Sequence, residues 1–138
     1  MRISEKIPSK LEIVPEFVSA LIGKIKTLSI GEDEVFDIKL SLEEALINAI
    51  KHGNKMNPSF YVEVYLEIKD HRLTIKVKDQ GEGFDFKNLP DPTTDENLEK
   101  PSGRGIFLIK SLMDEFEFFD CGRGIKMVKF VKKGGALR

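Results

Sequence analysis

Cysteine is all but absent from this chain: of its 138 residues, only Cys121 carries a thiol. A single cysteine excludes an intramolecular disulfide and any Cys/His cluster with zinc spacing, and it reads as the mark of a reducing compartment. Net charge is nearly missing too. The 22 basic and 23 acidic side chains leave a formal −1, which excludes the broad basic footprint of a nucleic-acid binder and offers no pull toward an anionic membrane. No apolar run reaches membrane-spanning length, and Arg2, Glu5 and Lys6 stand where a signal peptide needs an unbroken apolar stretch. The expectation is a cytoplasmic protein whose partner is another protein or a small molecule, with no direct nucleic acid and no membrane. Internal repeats and low-complexity tracts are absent, and the length suits one domain, residues 1–138, with no room for a second core.

What is present centres on residues 42–54, where one helix carries two patterns. Leu42, Ala45, Leu46, Ala49 and Ile50 recur at the three- and four-residue spacing of a buried stripe. Glu44, Asn48 and His52 recur every four residues along another side, which stacks them in a line. Gly53 is read as the stop just past the helix end. Taken alone, the polar line is equally a solvated helix face.

Around that helix, residues 2–7 alternate weakly up to Pro8 and read as an edge strand. Ser9 is read as the cap of a helix reaching about Leu28, with Pro15 bending it or moving its true start toward residue 14. The central helix is expected over roughly 33–52. A hairpin follows: Val62, Val64, Leu66 and Ile68 face inward, Lys69 to Arg72 turn, and Leu73, Ile75 and Val77 return on the same face. Continuing the period of two puts Asp79 inward as well, and a carboxylate in an apolar slot is unfavourable by several kcal/mol unless something bonds to it. The plainer alternative ends the strand at Lys78 and begins a loop. Gly81 and Gly83 behind it favour a ligand, since glycine lets backbone approach closely.

Residues 84–102 have no period and carry Asn88, Pro90, Asp91, Pro92, Thr93, Thr94, Asp95 and Pro101, the composition of a long functional loop. Gly103, Arg104 and Gly105 then open a helix to about Asp114 that buries Ile106, Ile109, Leu112 and Met113, and free amides at its start suit an anion. Phe116 to Cys121 and Ile125 to Val131 read as closing strands, with Phe116, Phe118 and Phe119 in the core. Residues 133–138 read as a frayed tail.

In order, Glu44-x-x-x-Asn48-Ala49, Asp79-x-Gly81-x-Gly83 and Gly103-x-Gly105 resemble the three nucleotide-binding boxes shared by gyrase, the ninety-kilodalton heat-shock chaperone, histidine kinases and the mismatch-repair ATPase. Within that superfamily, Glu-Ala-x-x-Asn-Ala-x-x-His-Gly is most similar to the bacterial anti-sigma-factor serine/threonine kinases. The resemblance spans residues 5–132 and lies in the ordered set, since each glycine pair alone is a weak signal.

The resemblance implies an α+β fold, a two-layer sandwich of a mixed, mostly antiparallel sheet packed on helices. It implies ATP and Mg2+ as cofactors, with Asp79 accepting a hydrogen bond from the adenine amino group and residues 84–102 forming a lid over the phosphates. Gly81, Gly83, Gly103, Arg104 and Gly105 would line the nucleotide. Asn48 would ligate magnesium through its carbonyl oxygen, a hard donor, and Glu44 would be the general base. Lys51 is a second candidate for phosphate contact, and His52 is read as structural. Histidine autokinases need a long dimerisation helix, and gyrase-like ATPases need a transducer domain. The chain shows neither pattern, so the expected activity is phosphorylation of a serine or threonine on an anti-sigma-factor antagonist protein, with a sigma factor as a second partner. Whether the chain forms a homodimer stays open. The alternative from another class is an ATP-gated binding protein with negligible phosphotransfer.

Overall fold

Alternation dominates the sheet. In a computed structural model that describes residues 1–28, 30–83 and 101–131, with the backbone alone for 101–104, β1 (Arg2–Pro8), β2 (Tyr61–Lys69), β3 (Arg72–Lys78), β4 (Glu115–Phe119) and β5 (Gly124–Phe130) form one sheet. Its order is β1-β2-β3-β5-β4. Val62, Val64, Leu66, Leu73, Ile75 and Val77 are all buried on one face, as a period of two requires when one side of a sheet meets a core. The β2–β3 turn takes left-handed φ at Asp70 and His71, the conformation that matches the strand twist.

Three helices cover the buried face: α1 (Val14–Lys26), α2 (Glu32–Asn48) and α3 (Pro101–Leu112). α2 packs against both α1 and α3 and over β3 and β5. Its stripe Ile38, Leu42, Ala45 and Leu46 is fully buried, and Glu34 reaches back to accept the Gly31 amide at 3.2 Å at its start.

Several expectations are corrected. Every strand pairing among the described residues is antiparallel, so the sheet is not mixed. β5 lies between β3 and β4 because α3 carries the chain across the sheet before the last hairpin returns. Ser9 caps no helix. A short 3-10 turn, Leu11–Ile13, precedes α1, which starts at Val14 as the shifted-start reading of Pro15 expected, with Pro15 in its first turn, where a missing N–H is harmless. α3 begins at Pro101, so it opens two residues before Gly103, and Gly103, Arg104 and Gly105 lie within its first turns. Leu112 is only half-buried. Phe116 and Phe118 pack edge to face at 5.0 Å on the rim of the core, not within it.

The lid expectation for residues 84–100 and the tail expectation for 133–138 lie outside the described residues. Pro101 and Ser102, expected at the end of the lid, belong to α3. No helix of the described residues is long and apolar enough to cross a membrane.

Candidate nucleotide site

The end of α2 builds the site. Past Asn48 the helix widens into a π turn, Ala49–Gly53, closed by the Asn54 N–H on the Ala49 carbonyl at 2.7 Å and the Met56 N–H on the Ile50 carbonyl at 2.8 Å. Lys55 and Met56, not Gly53, take the left-handed φ that ends it. Gly53 is needed for a different reason: a Cβ there would collide with the Asp79 carboxylate, and one on Gly81 would collide with the Gly53 carbonyl. Two backbone segments therefore touch where no side chain fits.

The line Glu44, Asn48, His52 holds for its first two members. Glu44 Oε2 and Asn48 Nδ2 converge beneath α3: a Cβ on Gly105 would stand 2.9 Å from the first and 2.8 Å from the second. Asn48 Nδ2 is buried and has no hydrogen-bond partner among the described residues, the condition of an amide left for a ligand. His52 lies in the π turn and is exposed. Burial of part of its ring and the neighbouring Lys51 charge lower its pKa, which favours the neutral ring. Lys51 is exposed.

Between α2, α3 and the sheet lies a cavity of about 320 Å³ walled by Ala49, Val77, Ile106, Phe118 and Ile125, with Asn48 and Asp79 as its inner polar groups. A largely apolar cleft of this size with a few placed polar groups is the form of a small-molecule site. Asp79 is 8% exposed and faces inward, as the period of two requires. Burial pushes its pKa up, against the pull of the Gly81 amide and the Arg123 charge. Gly81 donates to Oδ1 at 2.8 Å, and Oδ2 has no protein donor among the described residues. Gly83, at φ +82, packs on the Cys121 carbonyl and lines the cavity. Gly103 and Arg104 sit in the first turn of α3, and the Arg104 side chain lies outside the described residues.

The structure thus brings together Glu44, Asn48 and Gly105 at one end, and Asp79, Gly81 and Gly83 at the other. Three further residues escaped sequence reading. Asn54 accepts the Gln80 amide at 2.7 Å, and Gln80 accepts the Tyr61 amide at 2.6 Å. Arg123 reaches the Gly81 carbonyl at 2.8 Å. The only advance signal for Arg123 was a cation between two glycines in a hairpin. For Asn54 it was an amide just past a helix end.

The histidine kinase-like ATPase domain family matches residues 7–132. A serine-protein kinase RsbW of Staphylococcus epidermidis is 34% identical over 95% of this chain and 87% of its own length. The protein of the same name from Staphylococcus aureus strain JH9 is 32% identical over the same shares. A match that runs from the end of β1 past β5, and so encloses the buried acceptor Asp79 and the Glu44–Asn48 pair alike, makes this chain a member of the histidine kinase-like ATPase family.

Proposed function

We propose that this chain is an ATP-dependent serine/threonine protein kinase of a partner-switching system, acting in the cytoplasm on an anti-sigma-factor antagonist protein and also binding a sigma factor. The observation that carries the reading is the meeting of the Glu44 carboxylate and the Asn48 amide at Gly105. One helical turn sets a proton acceptor beside an asparagine whose Nδ2 faces Gly105 and whose carbonyl oxygen is the atom that would hold a metal, the pairing that phosphoryl transfer to a hydroxyl needs. The relatives named serine-protein kinase support the acceptor class.

In this reading Asp79 accepts from the adenine amino group at the apolar end of the cavity. Glu44 takes the proton of the attacking hydroxyl. Asn48 is the protein ligand for magnesium, which when bound neutralises charge on the phosphates. No cluster of three or more His, Cys, Asp or Glu among the described residues offers another metal site, and a single protein ligand is enough for an ion shared with phosphates.

The test is transfer of radiolabelled γ-phosphate to a candidate antagonist, with nucleotide binding measured in parallel. Glu44→Ala should leave nucleotide affinity nearly intact and lower transfer by about 10²–10⁴-fold. Asn48→Ala should weaken magnesium-nucleotide binding as well. A wild type that binds both ATP and the partner yet transfers nothing would replace the kinase with an ATP-gated binding protein.

A further inference from the structure

Beneath the cavity, three residues from two segments close a ring of hydrogen bonds. Asp79 donates its backbone N–H to the Arg123 carbonyl at 3.0 Å. Gly81 donates its N–H to Asp79 Oδ1 at 2.8 Å. Arg123 Nε donates to the Gly81 carbonyl at 2.8 Å. The guanidinium is oriented from its other end, where Nη1 donates to the Asp120 carbonyl at 3.3 Å and faces the Asp120 carboxylate at 3.7 Å. That carboxylate is itself held by Lys78 at 2.9 Å.

The ring decides which oxygen a ligand meets. Oδ1 is occupied by Gly81, and Oδ2 is left as the acceptor. The Gly81 N–H that holds Oδ1 and the Gly81 carbonyl that Arg123 holds lie on the two adjacent peptide units of one residue, so the Arg123 bond restrains the turn that aims the donor. We propose that Arg123 is a positioning residue that sets the preference of this site for adenine over 6-oxopurines by keeping the Asp79 carboxylate from turning.

The proposal rests on Asp79 being the acceptor of the adenine amino group. Adenine offers a donor at its 6-position. Hypoxanthine offers a carbonyl oxygen there, which would face a carboxylate oxygen, with its N–H one ring atom away. A fixed acceptor rejects hypoxanthine, because a buried polar group is then left unpaired. A carboxylate free to rotate can find that neighbouring N–H and loses the distinction. The positive charge of Arg123 also opposes the upward push of burial on Asp79.

The experiment is calorimetric titration of the full chain with ADP and with inosine diphosphate. The wild type should prefer ADP by on the order of 10²-fold or more. Arg123→Met should shrink that ratio by about tenfold, a step of one hydrogen bond to a charged group, through weaker ADP binding and little change for inosine diphosphate. Arg123→Lys should give an intermediate ratio, since one ammonium cannot hold Gly81 and Asp120 together. Equal weakening of both nucleotides in Arg123→Met, with the ratio kept, would make Arg123 a general structural support and overturn the proposal. If Arg123→Met does not fold, the lysine variant decides, and a wild-type ratio there overturns it. Asp79→Asn separates the two layers. An unchanged ratio in that variant removes the adenine reading and this proposal with it, whereas a collapsed ratio there beside a wild-type ratio in the Arg123 variants removes the positioning role alone.

Discussion

Gln80 donates its backbone N–H to Asn54 Oδ1 at 2.7 Å, and through that bond the end of the α2 layer holds the loop that follows β3. The Asn54 amide is used on both sides: Nδ2 donates to the Tyr61 carbonyl at 3.0 Å and to Ser9 Oγ at 3.3 Å. Ser9, Tyr61 and Gln80 therefore meet at one side chain that is 1% exposed. Asp79 is the next residue along from this anchor.

Asn54→Ala should lower unfolding stability by about 1–3 kcal/mol, because it removes the partners of the Gln80 N–H and the Tyr61 carbonyl, both partly buried. Urea unfolding measures this. Nucleotide affinity should fall in the same variant, since the loop bearing Asp79 loses its tie. An unfolding midpoint equal to wild type would contradict the anchoring role.

Gly105→Ala should separate stability from activity. Alanine favours a helix interior over glycine by about 1 kcal/mol, and the atoms its methyl would press on, Glu44 Oε2 and Asn48 Nδ2, are side-chain ends that can move aside. The unfolding midpoint should hold or rise, while phosphate transfer falls on the order of 10²-fold as the pair is displaced. Transfer at the wild-type rate would show that the convergence at Gly105 is incidental.

Asp79→Asn should stabilise the ligand-free protein at neutral pH. Burial raises the Asp79 pKa above the ordinary 3.8, so within that window the folded chain binds a proton more readily than the unfolded chain. Stability therefore declines as pH rises from the ordinary value through the raised one, and the penalty is complete above it. Thermal melts across pH should show the variant ahead of wild type at pH 7 and level with it once both states of the wild type are protonated. The added stability given by ADP should shrink in the variant. A lower melting temperature at pH 7 would mean that the carboxylate is held more favourably than its burial implies.

Lys129→Met should destabilise by about 1–3 kcal/mol although its stem still packs. The Lys129 side chain is 13% exposed, and its Nζ donates to Asp37 at 3.0 Å and to the Leu112 carbonyl at 2.6 Å. It thereby joins β5, α2 and the end of α3. Adding Asp37→Leu should recover part of the loss, because a stranded charge is worse than an apolar pair. Chemical denaturation of the single and double variants checks both statements.

The legible parts of this molecule were those governed by a period. Val62 to Ile68 and Leu73 to Val77 announced a one-sided hairpin, and the same count carried one step further found Asp79. A spacing of four found Glu44 and Asn48. Lys129 was legible by the same rule, since Ile125, Met127 and Val131 share its parity, but a lysine in a strand reads as solvent-facing. The π turn was not legible, because one widened turn alters no spacing in the sequence. Gly103 and Gly105 read as the opening of a helix, and its earlier start at Pro101 was not legible because glycine is a poor helix former. The close passage of α3 over α2 at Gly105 overrides that preference. Asn54 and Arg123 were hidden for a different reason: their partners lie far along the chain, Asn54 being 45 residues from Ser9 and Arg123 42 from Gly81, and no local pattern records them.

The contact of Gly53 with Gly81 also limits how this sequence can drift. Neither position admits even a methyl as the site stands, since one at residue 53 would meet the Asp79 carboxylate and one at residue 81 the Gly53 carbonyl, and relief would turn the inward carboxylate away or shift the main chain. In a library saturated at every position, residues 53 and 81 should each return an alphabet of one letter among variants that still take up nucleotide. The surrounding positions should vary.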